Sequence, residues 1–107
     1  MSALEIQIHD AKRLLDSAAP PRLIDCREAD EWAICQLPRA ELLPLSDFNF
    51  REKLRDPAQA ILIYCHHGMR SLRAAEYLSQ LGYENVCSIR GGIDAWSREI
   101  DPEVPRY

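Results

Sequence analysis

The segment with the clearest capacity for chemistry is Cys-His-His-Gly-Met-Arg-Ser, which runs from Cys65 to Ser71. An apolar run that predicts a buried strand precedes it, and a helical pattern follows it. A loop that curls at such a junction directs several backbone N–H groups inward, and the start of the helix adds partial positive charge. These groups stabilise a thiolate and lower the pKa of the thiol. The sequence therefore predicts a reactive Cys65, with Arg70 nearby to bind an oxyanion or to brace the loop through a carboxylate.

Two plainer interpretations concern the same segment. A lone cysteine at the end of a strand is most often a buried structural residue, and only the spacing of Gly68 and Arg70 at the junction favours a functional Cys65. His66 and His67 suggest a general base or a metal site, but adjacent histidines point in different directions and lack partners at ligand spacing. We interpret both histidines as residues that shape the loop, and we expect no metal site.

The other three cysteines, Cys26, Cys35 and Cys87, form no Cys-x-x-Cys pair with one another or with Cys65. Neither a zinc ribbon nor a thioredoxin-type pair is indicated, and free thiols in a reducing compartment are expected. Cys26 and Cys87 fall in strand patterns and are predicted to be core residues. Cys35 is interpreted as a small apolar residue, with a second thiol that resolves or relays the sulfur of Cys65 as the minor alternative.

Helical and strand patterns alternate along the chain and predict the elements that position these residues. The predicted order is a helix from Ala11 capped by Asp10, a strand over 22–25, helical turns through Trp32, a helix capped by Ser46 and ending at Leu54, a strand over 60–64, a helix over 71–81 ended by Gly82, a strand over 85–89, a helix over 93–99 and an extended surface tail over 101–107. This alternation predicts an α/β fold, with a mostly parallel sheet flanked by helices on both faces. One domain is expected over residues 1–107.

Asp25 and Arg27 stand at the end of the first predicted strand, which should neighbour the strand that leads to Cys65. A carboxylate and a guanidinium at this spacing are interpreted as a solvated or structural ion pair. We expect the pair to orient the active loop rather than to react.

Composition and charge exclude several classes of function. The chain is 47% hydrophobic and 28% charged, as in ordinary globular proteins, and its net charge is −4. The acidic balance argues against nucleic acid as a partner, because phosphate binding needs a concentrated basic surface. The charged N-terminal segment lacks a signal-length apolar stretch, and no apolar run is long enough to span a membrane. A cytoplasmic protein without a membrane partner is therefore expected.

The spacing Cys65-x-x-Gly68-x-Arg70-Ser71 resembles the active-site loop of the rhodanese family. Further segments resemble this family in order along the chain, namely Leu23 to Glu28 followed by Glu31-Trp32, Leu37-Pro38 with Ala40, Gly82-Tyr83, Asn85-Val86, and Gly91-Gly92 with Ala95-Trp96. The chain departs from the family where Cys35-Gln36 replaces Gly-His and Arg39 replaces a glycine.

The resemblance implies a single-domain sulfurtransferase of the thiosulfate type. Cys65 would attack the outer sulfur of thiosulfate or a similar donor, release sulfite and carry the sulfur as a persulfide. A thiol, cyanide or a sulfur-acceptor protein would then take it. The implied substrate-binding residues, whose main-chain groups stabilise the anion, are His66, His67, Gly68, Met69, Arg70 and Ser71. The implied chemistry needs no metal and no organic cofactor.

Three other functions stay open beside this one. The tail from Asp101 to Tyr107 resembles the end of rhodanese domains attached to adenylyltransferases, which implies a protein-to-protein sulfur carrier in cofactor biosynthesis. A cysteine phosphatase or arsenate reductase is disfavoured, because that branch has a longer loop than the four residues between Cys65 and Arg70. A non-catalytic binding module is disfavoured by the intact Cys65, Gly68 and Arg70.

Overall fold

The alternating patterns fold into alternating strands and helices in a computed structural model that describes residues 4–47 and 52–107. The described strands are β1 (Glu5–Ile6), β2 (Arg22–Asp25), β3 (Glu41–Leu42), β4 (Ile61–Tyr64) and β5 (Val86–Ile89). The described helices are α1 (Ile8–Leu15), α2 (Ala29–Ile34), α3 (Met69–Gln80) and α4 (Gly92–Glu99), with a 3₁₀ turn at Glu52–Leu54. No helix within the two described ranges is long and apolar enough to cross a membrane.

The strands form one parallel sheet in the order β1-β5-β4-β2-β3 among the described residues. β4 is central and every one of its side chains is buried, which explains its continuously apolar sequence. Asp25 of β2 lies opposite Tyr64 of β4. The next residues, Cys26 and Cys65, therefore leave the sheet side by side.

Helices cover both faces of the sheet, as the sequence predicted. On one face α3 packs against β4 and β5, and its buried Ala74, Ala75 and Leu78 belong to a core that includes residues of β2, β4 and β5. On the other face α1 and α4 pack against the remaining strand residues, and Trp96 is part of that second core. The expectation of an α/β fold with a parallel sheet is confirmed.

The start of the first helix was predicted wrongly. α1 begins at Ile8 with Gln7 at its N-cap, so Asp10 lies inside the first turn rather than capping it. Ile8 and Ala11 are both buried in the second core. The apolar face of the helix therefore begins at Ile8, about one turn before the expected start at Ala11.

Other boundaries also differ from the sequence patterns. α3 begins at Met69, two residues before the predicted start, because the loop that follows Cys65 turns directly into the helix. The predicted helix from Ser46 to Leu54 falls partly on residues 48–51, which lie outside the described residues. Its described end is the 3₁₀ turn.

Candidate active site

Cys65 lies at the carboxyl end of β4, where the loop through Ser71 curls around its sulfur. The backbone N–H groups of Gly68 and Ser71 donate to Cys65 Sγ at 3.1 and 3.4 Å. The Ser71 hydroxyl also lies 3.4 Å from the sulfur and is linked to Ser88 on β5. Two of the predicted backbone donors, at Gly68 and Ser71, thus point at the buried sulfur.

The N-terminus of α4 fixes the shape of this loop. The N–H of Ile93 donates to the Cys65 carbonyl at 2.9 Å, and that of Asp94 donates to the His66 carbonyl at 3.1 Å. In a trans peptide the N–H points away from the carbonyl. The N–H groups of His66 and His67 therefore point away from α4.

Two glycines permit this close approach of backbone to backbone. A Cβ at Gly92 would lie 2.3 Å from the Cys65 carbonyl oxygen, and one at Gly68 would lie 3.0 Å from the Gly91 nitrogen. Both glycines also have positive φ, +61° and +102°, which side chains rarely adopt. Their place in the sequence motif thus has a direct steric cause.

The surroundings of Cys65 favour a thiolate. A hydrogen bond from the Cys26 thiol, together with those from Ser71 and Gly68, outweighs burial and lowers the pKa of Cys65 to about 4. The same hydrogen bond to Cys65, together with burial, raises the pKa of Cys26 far above its usual value. Because the backbone donors converge on Cys65 and not on Cys26, we assign the charge to Cys65 and the proton to Cys26.

Sequence reasoning missed the position of Cys26 beside Cys65. Cys26 is 1% exposed, so its prediction as a core residue is confirmed, but its neighbour in that core is Cys65. The signal was available in the strand order, because residues that follow two adjacent parallel strands meet at one edge of the sheet. Cys35 belongs to the core on the opposite face, and Cys87 on β5 is half-buried.

Arg70 braces the loop through a carboxylate, one of the two roles predicted for it. Its Nη1 and Nη2 donate to Glu31 Oε1 and Oε2 at 2.7 and 2.9 Å. The Arg70 guanidinium is the main reason that the pKa of Glu31 falls to about 2. Glu31 also closes the capping box of α2 with Glu28. Sequence reasoning did not assign Glu31 to the site.

The Asp25–Arg27 pair is structural and fully buried, not solvated. Both side chains are 0% exposed, and Arg27 Nη2 donates to Asp25 Oδ2 at 2.7 Å. The same Nη2 donates to the Cys35 carbonyl at 2.6 Å. The pair thus ties the end of β2 to the chain that follows α2.

The chain end contacts the site, contrary to the expectation of an extended surface tail. Tyr107 accepts a hydrogen bond from Arg27 Nη1 and donates one to Glu31 Oε2, both at 2.8 Å. Its ring stacks on His66 with centroids 3.8 Å apart and planes 5° apart. Val104 is buried, and its carbonyl accepts a hydrogen bond from Ser97. Sequence reasoning missed this contact.

The two histidines of the loop differ in burial: His66 is half-buried, whereas His67 is exposed. The His66 ring stacks on Tyr107 and lies 3.9 Å from the His67 ring at a tilt of 31°, and burial lowers the pKa of His66. Ligand atoms of His66, His67 and Asp94 lie within 4.8 Å of one another. Arg98 and Arg106 each bind one carboxylate oxygen of Asp94, so their guanidinium groups weaken this cluster as a cation site.

The outer rim of the loop is open to solvent. Met69 is 68% exposed, and His67 is exposed as well. Cys65 itself exposes 1% of its surface. A reactant must therefore bring one atom into the ring of the loop in order to reach the sulfur.

Residues 7–99 match the sequence model of the rhodanese-like domain. The chain belongs to the rhodanese-like family. It is 33% identical over 87% of its length to the adenylyltransferase and sulfurtransferase uba4 of Ogataea parapolymorpha. It is also 33% identical over 95% of its length to the adenylyltransferase and sulfurtransferase MOCS3 of Aedes aegypti.

A solved rhodanese-related protein from Thermoplasma volcanium has the same fold. Its TM-score to this chain is 0.79 at 28% identity, with 96% of this chain and 98% of that chain covered. The chain covers only a small part of its curated relatives: it spans 24% of the length of uba4 and 26% of that of MOCS3. The rhodanese-like domain is thus the part that they share with this chain.

Proposed function

We propose that this rhodanese-like domain is a sulfurtransferase that carries sulfane sulfur as a persulfide on Cys65. The Cys65 thiolate attacks the outer sulfur of thiosulfate or a comparable donor. A bond forms between the two sulfurs while the donor's sulfur–sulfur bond breaks, and its electron pair leaves with sulfite. The negative charge then rests on the terminal sulfur of the persulfide.

The observation that supports this proposal best is the pair of N–H groups, from Gly68 and Ser71, that point at Cys65 Sγ. Donors fixed in this way stabilise an anion without reorganising during the reaction. Among the described residues, the donors to Cys65 Sγ include these two N–H groups and the Ser71 hydroxyl, and a thiolate needs no general base. Sulfur transfer needs only such a nucleophile and a place for an anion.

The remaining site residues act by positioning in this proposal. Arg70 holds the loop through Glu31, and Asp25 with Arg27 fixes the neighbouring strand end. The backbone of His66, His67 and Met69 completes the ring that receives the terminal sulfur.

A steady-state assay with thiosulfate and cyanide tests the proposal. A persulfide cycle predicts formation of thiocyanate with ping-pong kinetics, because cyanide removes the terminal sulfur and regenerates the thiolate. Cys65→Ser should form none, whereas Cys87→Ser is a matched control that should keep turnover. Thiocyanate formation by Cys65→Ser would refute the assignment.

A protein-to-protein sulfur carrier is the second candidate function. It is favoured by the names of the relatives, which combine an adenylyltransferase with a sulfurtransferase. A carrier should accept sulfur from a persulfidated protein much faster than from thiosulfate at equal concentration. Equal or slower transfer from the protein donor would favour the small-molecule enzyme.

The phosphatase and binding-module alternatives predict different results in the same preparation. Hydrolysis of an aryl phosphate without any gain of sulfur would favour a phosphatase. Neither reaction with either donor would favour a binding module. We further propose a reducing compartment such as the cytoplasm, since no disulfide joins the four cysteines, all of which lie in the described ranges.

A further inference from the structure

Cys26 helps to stabilise the Cys65 thiolate, but its own sulfur takes no part in the bonds of the proposed sulfur transfer. It follows β2, and its N–H donates to the Tyr64 carbonyl at 3.1 Å, so the parallel register continues to the pair Cys26 and Cys65. Ile24 and Ile63, two residues earlier, are paired in that register and belong to the same core as both cysteines. Side chains two residues apart share a face, so the two sulfurs project to the same side of the sheet.

The spacing of adjacent strands suits a bond between these two sulfurs. Neighbouring strands lie about 4.7–4.9 Å apart, and disulfides join Cα atoms about 4.4–6.8 Å apart. Both cysteines are 1% exposed, so Cys26 is shielded from bulk solvent and has Cys65 as its nearby thiol. A buried thiol beside a reactive one is chemically different from an inert core residue.

We propose that Cys26 resolves the Cys65 persulfide by forming a Cys26–Cys65 disulfide and releasing hydrosulfide. This inference rests on the proposed persulfide. Cys26 Sγ attacks Cys65 Sγ, the bond between Cys65 and the terminal sulfur breaks, and the terminal sulfur leaves with the electron pair. The thiol proton of Cys26 goes to the leaving sulfur. The two cysteines lose two electrons when they form the disulfide. These electrons reduce the sulfane sulfur to hydrosulfide, so no external oxidant is needed.

The arrangement around Cys65 allows the attacking and leaving sulfurs to lie on different sides of it. Ser71, one of the donors to the sulfur, is linked to Ser88 on β5. Cys26 follows β2, and β4 lies between β2 and β5 in the sheet. Attack from the β2 side would push the terminal sulfur toward the donors of the loop, which stabilise it as it leaves.

The negative charge on Cys65 explains why Cys26 reacts only after sulfur has been added to Cys65. In the resting site the neighbouring Cys65 thiolate and burial raise the pKa of Cys26, so Cys26 stays protonated. Adding sulfur moves the negative charge from Cys65 Sγ to the terminal atom, and Cys65 Sγ becomes the electrophile. The reaction then competes with acceptors: a persulfide that meets no acceptor is discharged, and a dithiol reductant restores both thiols by exchange.

The test follows the persulfide over time without oxygen. Reduced wild-type protein, Cys26→Val and the control Cys87→Val are loaded with thiosulfate at pH 8, freed of donor and followed by intact mass and by hydrosulfide assay. Valine is a small apolar residue that suits the buried core around position 26, so the variant should fold. The wild type should lose the added sulfur at least about tenfold faster than Cys26→Val, because its attack is intramolecular.

The products and controls separate the possible results. The expected product is wild type lighter than the reduced protein by two hydrogens, with one hydrosulfide per chain and a Cys26–Cys65 cross-link in its peptide map; Cys87→Val should behave likewise. Equal persulfide lifetimes in wild type and Cys26→Val would overturn this inference and leave the proposed function intact. The same disulfide in protein never exposed to thiosulfate would also overturn it. Failure of every variant to gain sulfur would refute the proposed function, and this inference with it.

Discussion

Two neighbouring strand ends carry the same residue types and differ in what surrounds them. After β2, Arg27 pairs with Asp25, and both side chains are 0% exposed. After β4, Arg70 pairs with Glu31 at the same 2.7 Å distance, but these side chains are 40% and 17% exposed. Burial makes the first pair part of the core, whereas the second pair lies at the rim of the active loop. The same type of ion pair thus supports the fold after β2 and the candidate site after β4.

The cysteines at these two strand ends differ in the same way. Cys65 is followed by a loop that contains Gly68 and turns into α3, so backbone N–H groups converge on its sulfur. Cys26 is followed by Arg27, whose N–H donates to the Asp25 carboxylate instead. The difference between a thiolate and a neutral thiol therefore comes from the shape of the backbone rather than from residue type.

The largest expected effect is on stability at the end of β2. Arg27→Met should lower the free energy of unfolding by about 3–5 kcal/mol, because it leaves the buried Asp25 carboxylate without its partner. Urea unfolding measures the loss. The double variant Asp25→Leu/Arg27→Met should lose less than the single one, since no charge stays buried. A loss below about 1 kcal/mol, typical of an exposed pair, would contradict the assignment of this pair to the core.

The next effect concerns the charge on Cys65. Its rate of alkylation by iodoacetamide should be half-maximal near pH 4, where the pKa of Cys65 lies at about 4, and should fall below that pH as the thiolate is protonated. Cys26→Val removes a hydrogen bond to the thiolate and should raise the midpoint pH by about 1 to 2. A midpoint near that of an ordinary cysteine in the wild type would contradict the thiolate assignment.

A smaller effect should separate the second arginine from the first. Arg70→Ala should slow sulfur loading from thiosulfate about tenfold, because the loop loses a charge-assisted hydrogen bond of about 1.5 kcal/mol. Its unfolding free energy should fall by no more than about 1 kcal/mol, since the pair is partly exposed. Arg70→Lys keeps the charge without the planar fork and should recover only part of the rate. A loss of stability with normal loading would assign Arg70 to the fold alone.

The smallest effect is expected at the hydroxyl that joins the two pairs. Tyr107→Phe keeps the ring that stacks on His66 and removes the hydrogen bonds to Arg27 and Glu31. Unfolding free energy should fall by about 1 kcal/mol, with a small change in sulfur loading. Unchanged stability and loading would mean that the tail does not couple the two strand ends.

Local sequence was sufficient for the parts of this molecule that depend on neighbouring residues. β4 was predictable because every side chain of Ile61–Tyr64 is apolar and buried. The loop after it was predictable because Gly68 and Arg70 follow Cys65 in the sequence by three and five residues. The contact of Cys26 with Cys65 depends on strand order and register, and those of Glu31 and Tyr107 depend on how α2 and the tail pack. No local pattern encodes these contacts, so they became visible only in the folded chain.

The central claim is that sulfane sulfur resides on Cys65. Its most direct test is intact-protein mass spectrometry after a brief exposure to thiosulfate, with an alkylating agent added at once to trap the persulfide. The wild type should gain one sulfur atom that peptide mapping places on Cys65 and that cyanide removes, and Cys65→Ser should gain none. A gain of sulfur on Cys65→Ser, or none on the wild type with thiosulfate and with a persulfide protein donor, would contradict the account.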